Sequence, residues 1–357
     1  MDKIAGLRQI LNRYIKKTRD ESKNLRVAIV ASIVNETSTL NDFPINSVTT
    51  SYLSRKETDR LIRLFRENDI YVELYNDVEK FFKAYYSDKF TCNAIFESSP
   101  KGIAKGKDAL LPAFCDTVNL MHFGPNAAAN LRVCNKYGWF CTLMQNGVPV
   151  PQTYLFNNGW LTVPTSEKIL LKLNEECASI GLSTESLVIN DKALLTQRAQ
   201  NLQDKFNEPV IGQQFVSGYE VEVPILCNRE TTVALPAVGL SLGDKRHLGD
   251  SYFGYDEILD DGYGVYLFET VDDKTAQKLQ DICLRVAKVL DLQGHFRIDF
   301  RISSNGDVYV TDINNDPTIG LESSFLFSVN SLGYNEKDLV AMILGNYLVN
   351  RTKTECQ

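Results

Sequence analysis

Two short charged motifs on either side of a turn carry the most explicit chemistry in this 357-residue chain. In Gly294 to Gly320, GHFRIDFRISSNGDVYVTDINNDPTIG, the residues Arg297, Asp299, Asp312 and Asn314 stand as R-x-D and then D-x-N. Phe296, Ile298, Phe300 and Ile302 alternate with His295, Arg297, Asp299 and Arg301, the period-two pattern of a strand with one apolar face. Asn305-Gly306 supplies two positive-φ positions for a tight turn, and Val308 to Asn314 returns antiparallel. A two-residue loop then pairs Ser304 with Asp307, Phe300 with Thr311, Asp299 with Asp312, and Arg297 with Asn314. Facing like charges cost a wet ladder roughly 0.2–1 kcal/mol, so something must compensate them. Two carboxylates and an amide oxygen suit a hard divalent cation, Mg²⁺ above all. A solvated hairpin face bridged by Arg297 satisfies the same pattern, and spacing alone leaves both readings open.

Other polar residues gain meaning only from their elements. Lys172 is the one charge in Ile169 to Leu173, ILLKL; such a lysine either reaches out at an edge or points into a cleft toward an anion. Asn174 to Gly181 is a run with small residues and a single glycine, able to bring backbone N–H groups near phosphate oxygens but equally an ordinary turn. Gln213, Gln214 and Glu220 are spaced to lie beside a planar ligand or along a sheet face. Lys136 sits early in a helix that opens after the boundary His122 to Ala129, HFGPNAAA, and runs to Asn146, where a lone lysine usually faces solvent. Glu36, in the loop from Asn35 to Ser51, is placed to meet an amino group or simply water.

The elements that must position these residues follow from periodicity and punctuation. Met1 to Arg26 reads as a charged amphipathic helix and turn, and Arg26 to Val34 as a buried parallel strand. Ser54 caps a helix over Lys56 to Glu67; Tyr71 to Tyr75 and Phe90 to Glu97 read as further strands. Strand, helix, strand implies a right-handed crossover and an open parallel α/β sheet, with ligands at the carboxyl ends of its strands. Gly147 and the Val148-Pro149-Val150-Pro151 link lead to the strand Thr153 to Phe156. Val210 to Cys227 divides at Ser217-Gly218, and Thr231 to Leu235 is a strand. Gly239 to Gly264 is the candidate mobile flap. Thr275 to Leu290, Ser323 to Leu332 and Glu336 to Asn350 read as helices.

Composition narrows the class. With 44% hydrophobic and 23% charged residues the chain is an ordinary globular one, large enough for two or three lobes. A net charge of −7 argues against holding nucleic acid along its surface. Eight cysteines without a CxxC pair read as reduced thiols of a cytoplasmic protein. Three scattered histidines make a zinc site improbable, and no apolar run is long enough to cross a membrane.

Taken in order, Lys136, Lys172, the Glu176 loop, Gln213 to Glu220, Arg297-x-Asp299 and Asp312-x-Asn314 resemble the D-alanine–D-alanine ligase branch of the ATP-grasp family. The resemblance covers roughly residues 125 to 345. It implies an amino-terminal open parallel α/β lobe over 1–124, and two α+β lobes, 125–212 and 213–357, enclosing ATP. Lys136 and Lys172 would hold phosphates, Glu176 and Ser179 would bind the nucleotide with them, Gln213, Gln214 and Val216 would lie at the adenine and Glu220 on the ribose. Asp299, Asp312 and Asn314 would bind Mg²⁺ or Mn²⁺, and Arg297 would be catalytic. Glu36 and Ser323, or Ser324, would meet the substrates.

What the resemblance implies chemically is ligation of a carboxylate to an amine through an acyl phosphate, by a cytoplasmic homodimer acting on small molecules. An ATP-grasp enzyme with a peptide or non-amine acceptor, and a nucleotide-binding regulatory protein without turnover, are the alternatives. Cys177-Ala178 replaces the usual Gly-Ser, Asp312 replaces the usual glutamate, and the flap near Tyr255-Asp256-Glu257 lacks the usual lysine, for which Lys245 or Arg246 would substitute. These departures imply a substrate other than D-alanine.

Overall fold

Three sheets follow one another along the chain, and a computed structural model describes residues 3–39, 41–103, 105–256 and 263–349. The first is parallel: β1 (Arg26–Ala31), β2 (Tyr71–Tyr75), β3 (Ala94–Ser98) and β4 (Met121–His122), in the order β2-β1-β3-β4. β1 is buried from Val27 to Ala31, as its unbroken apolar run requires of a strand covered on both faces. It ends three residues earlier than its sequence suggests. Around it lie α1 (Lys3–Glu21), α2 (Arg55–Glu67), α3 (Val78–Tyr85) and α4 (Lys107–Val118). α2 begins at a reciprocal cap, in which the Ser54 hydroxyl accepts from the Glu57 N–H and the Glu57 carboxylate accepts from the Ser54 N–H.

The single helix expected from the His122 to Ala129 boundary to Asn146 is two: α5 (Ala127–Cys134) and α6 (Lys136–Gln145). Asn135 breaks it with extended backbone, φ −95° and ψ 92°, and caps the second helix by accepting from the Gly138 N–H. The break sets Lys136 at the first position of α6, where its N–H donates to the Asn174 carbonyl at 3.0 Å.

The second sheet is antiparallel: β5 (Thr153–Phe156), β6 (Lys168–Leu173), β7 (Leu187–Ile189) and β8 (Val210–Gln214), in the order β5-β8-β6-β7. α7 (Lys192–Phe206) packs Leu195, Ala199 and Phe206 against it. The third holds β9 (Gly218–Cys227), β10 (Thr232–Ala234), β11 (Val238–Leu242), β12 (Tyr263–Leu267), β13 (Gly294–Ser303) and β14 (Val308–Asn314), in the order β12-β11-β9-β13-β14 with β10 beside β9. α8 (Asp273–Val289) and α6 share its core with Phe296, Ile298 and Phe300. α9 (Ser324–Ser331) and α10 (Glu336–Leu348) return to the amino-terminal half, where Val340 and Ile343 join the core of Leu11, Val27 and Ile29.

Part of the expected flap is sheet. Gly239 pairs with Tyr266, and Gly264 with Ser241. A Cβ at Gly239 would lie 2.2 Å from the Tyr266 ring, so this glycine permits packing, not motion. The candidate flap contracts to the loop from Gly243 to Asp256; Glu257, Gly262, Asn350 and Cys356 lie outside the described residues. Among the described residues no helix is long and apolar enough to cross a membrane, and all seven cysteines are free.

Candidate functional site

A cleft of about 420 Å³ opens between the second and third sheets, with one wall from the amino-terminal half. Its floor is the polar face of three adjacent strands. Asp299 on β13 lies between Glu222 on β9 and Asp312 on β14, and Arg301 lies opposite Glu220. Arg297 grips Asp299 with two hydrogen bonds, 2.7 Å from Nε and 2.8 Å from Nη2, and also lies 3.1 Å from Glu222. Burial works against the Arg297 charge, but Asp299 and Glu222 outweigh it and raise the guanidinium pKa. Burial pushes the Glu222 carboxyl up to about 7 against the pull of Arg297. It raises Asp299 too, with Asp312 adding to the effect.

The hairpin reaches the expected pairing of Asp299 with Asp312 by an unexpected route. The turn spans three residues, not two: the Ser303 N–H donates to the Asp307 carbonyl, and Gly306, not Asn305, takes the positive φ, 82°. That shifts the ladder by one, so Phe300 pairs with Val310 instead of Thr311. A bulge at Thr311 restores the offset and brings both acids onto the cleft face. Among the described residues no three His, Cys, Asp or Glu side chains converge as a metal site. The candidate set is instead two facing carboxylates and the Asn314 amide. Asp312 Oδ1 accepts from the Ile313 N–H and Asn314 Oδ1 from the Asp316 N–H. Such a sparse oxygen set fits Mg²⁺, which retains waters and phosphate oxygens as its other ligands.

The roof supplies cations. Lys136 Nζ donates to the Glu176 carbonyl, and Lys172 Nζ to the Thr311 carbonyl at 3.4 Å. Burial works to lower the pKa of both. In Lys136 the charges of Asp312, Cys177 and Glu208 reverse the shift, while in Lys172 burial and Lys136 prevail over Asp312. Between them runs the small-residue loop. Ala178 and Ser179 hold φ of 52° and 54°, a left-handed pair without glycine that stores about 1–3 kcal/mol per residue. The Ile180 N–H closes this turn on the Cys177 carbonyl at 3.1 Å.

Every residue expected at the nucleotide and metal lines the cleft, as does Arg297, yet several face differently from the expectation. The Glu176 carboxylate pairs with Lys107 of α4 at 3.3 Å, so its carbonyl, not its side chain, serves Lys136. Gln213 and Gln214 are neighbours on one strand and point to opposite faces. Gln213 is buried with its Nε2 unpaired, whereas Gln214 is exposed and its Oε1 accepts from the Gln152 N–H. The Val216 carbonyl is taken by Arg301. Two further candidates stand apart from the cleft. Glu36 is bound in an ion pair with Arg55 and accepts from Asn76. Ser323 caps α9, its hydroxyl accepting from the Leu326 N–H and donating to the Gly320 carbonyl. Arg246 stacks on Tyr266, and neither it nor Lys245 lines the cleft.

Glu222, Arg301 and Lys107 line the cleft without having been singled out in the sequence. Period two from Glu220 and from Asp299 marks the first two. Nothing local marks Lys107, which only the tertiary fold brings to the small-residue loop.

Residues 160–345 match the family model described as D-ala D-ala ligase C-terminus. The uncharacterized protein y4sG of Sinorhizobium fredii is 24% identical over 216 residues, 57% of this chain and 59% of that protein, less than two thirds of its length. The D-alanine–D-alanine ligase of Lactococcus lactis is 24% identical over 244 residues, 67% of this chain and 68% of the ligase. The D-alanine–D-alanine ligase of Bacillus anthracis, solved complexed with ATP, superposes with a TM-score of 0.66 at 14% identity, covering 91% of this chain and 98% of that one. At that identity the likeness establishes the fold.

Proposed function

Because the chain belongs to the D-alanine–D-alanine ligase branch of the ATP-grasp family, we propose that it is an ATP-dependent carboxylate–amine ligase working through an acyl phosphate. The observation that carries the reading is that one cleft is lined by Lys136 and Lys172 from the roof and by Arg297 and the facing pair Asp299 and Asp312 from the floor. Phosphoryl transfer asks a protein mainly for positioning and charge neutralisation, and these groups supply both.

Acids outnumber basic side chains around the cleft, so a triphosphate enters an already negative space. Magnesium held by Asp299, Asp312 and Asn314 would supply the missing positive charge when bound. Lys136 and Lys172 would hold phosphate oxygens, Gln213 the base edge and Glu220 the ribose. A substrate carboxylate oxygen would bond to the γ-phosphorus as ADP leaves. The amine nitrogen would then bond to the acyl carbon, the oxyanion facing Arg297, before phosphate leaves and the nitrogen gives up a proton.

The substrate in this reading is an amino acid or small acid other than D-alanine. Ala178 offers no hydroxyl, the Ser323 hydroxyl is committed to its cap, and Glu36 is committed to Arg55. The three lobes are proposed as 1–124, 125–212 and 213–357, in a cytoplasmic protein. Purified protein given ATP, Mg²⁺ and pools of D- and L-amino acids is expected to release phosphate with at least one pair. A second reading, nucleotide binding without turnover, draws on the strained Cys177-Ala178-Ser179 loop. ATP binding with no phosphate release from any pool would favour it.

A further inference from the structure

The face that carries Arg297 and Asp299 continues one step further along β13 to Arg301, only 5% exposed. Its guanidinium serves three parts of the chain at once. Nε donates to the Val216 carbonyl at 2.9 Å, between β8 and β9. Nη1 donates to Glu220 Oε2 at 3.0 Å and to the Ser251 carbonyl at 3.2 Å, while Nη2 donates to the Gly249 carbonyl at 2.8 Å. Its carbon lies 4.9 Å from the centre of the Phe215 ring. The loop it touches is fastened at the same place by other bonds. Gly218 exchanges backbone hydrogen bonds with Gly249 and Leu248, and Lys168 and the Ser217 hydroxyl both hold Asp250.

This differs in kind from Arg297, whose donors go to carboxylates. Arg301 gives one carboxylate a single hydrogen bond and spends its other recorded hydrogen bonds on backbone carbonyls. One Glu220 oxygen is therefore fixed, and the second is left to face the cleft from a set direction. A carboxylate so held is preorganised as an acceptor for hydroxyl groups, because its rotamer is chosen before the ligand arrives.

We infer that Arg301 is a positioning residue that sets ribose specificity: it aims Glu220 at the ribose hydroxyls and makes that contact depend on the seating of the loop from Gly243 to Asp256. The inference rests on the nucleotide reading given above and extends it to a residue that acts through Glu220. A polar site built around hydroxyls discriminates strongly against analogues that lack them, since its own buried acceptor is then left unpaired.

The test compares binding of ATP, 2′-deoxyATP and 3′-deoxyATP, each with Mg²⁺, to the intact protein and to Arg301→Gln, Arg301→Lys and Glu220→Gln. The unsubstituted protein is expected to prefer ATP by about tenfold or more over at least one deoxy analogue. Glu220→Gln and Arg301→Gln are both expected to bring that preference to within about twofold, with Arg301→Lys between, since an ammonium cannot serve a carboxylate and three carbonyls together. Loss of packing alone would weaken all three nucleotides alike and leave their ratio unchanged. An unchanged ratio in Arg301→Gln, with the ratio lost in Glu220→Gln, overturns the inference but not the ribose assignment. An unchanged ratio in Glu220→Gln overturns both. Should Arg301→Gln fail to fold, the Arg301→Lys ratio decides.

Discussion

Lys172 Nζ reaches from β6 across the cleft to the Thr311 carbonyl on β14, 3.4 Å away. Thr311 is the bulge residue of the hairpin, so one lysine joins roof to floor at the point where the floor changes register. Without nucleotide it is a desolvated cation with a single long hydrogen bond, its pKa depressed by burial.

Replacing Lys172 by Met should therefore leave the nucleotide-free protein as stable as before, or more so, because a poorly compensated buried charge is removed. ATP should lose at least about tenfold in affinity, ~1.4 kcal/mol. The readout is the ATP-induced rise in melting temperature, which tracks affinity through mass action. A full-sized rise in the variant would take Lys172 away from the phosphates.

Asp312→Asn removes the like charge facing Asp299. The strengthening of ATP binding by Mg²⁺ should disappear, as measured by titrating the metal at fixed ATP. Undiminished magnesium dependence would exclude Asp312 from the metal set.

Gly218 begins the strand that carries Glu220, and its φ is 151°. A Cβ there would stand 1.8 Å from the Ile302 carbonyl oxygen, inside the β9–β13 ladder. Gly218→Ala should cost on the order of 3 kcal/mol or more and weaken nucleotide binding, because Glu220 and Arg301 sit on the two strands forced apart. Unfolding indistinguishable from that of the parent chain would contradict this account.

Burial, reinforced by Glu176, pushes the Glu208 carboxyl up to about 7 from an ordinary 4.5. The folded state thus binds a proton between those values that the unfolded state releases. Glu208 costs nothing below pH 4.5, and its destabilising contribution grows as pH rises, complete above pH 7. Its full size is on the order of 3 kcal/mol. Glu208→Gln should melt progressively higher than the parent as pH rises from 4.5 to 7.5. A difference that stays flat over that range would reject the shift.

The hairpin shows how far patterning reaches. Val308 and Val310 share one apolar phase and Ile313 keeps the other, and all three are buried. The change of phase between Val310 and Ile313 stands in the sequence, but the unbroken ladder expected from a two-residue turn passed over it, and only the structure puts the bulge at Thr311. β2 and β5 match their expected ranges to the residue, because their apolar alternation is bounded by turn residues. α3, α4 and α7 were not anticipated; α7 buries only Leu195, Ala199 and Phe206, too sparse a stripe to stand out from its polar residues.

Local order in the chain singled out the candidate residues: R-x-D, D-x-N, a lysine in an apolar strand and a small-residue loop are legible because each is a short-range relation along the chain. The tertiary structure alone decided their partners. Lys107 meets Glu176 across 69 positions, and Arg301 meets Val216 across 85, distances over which sequence spacing carries no geometric information. The same packing tied Glu36 to Arg55 and Ser323 to its own helix. Whether a polar side chain faces a ligand or a neighbour depends on which acceptor the folded chain brings within about 3 Å of it.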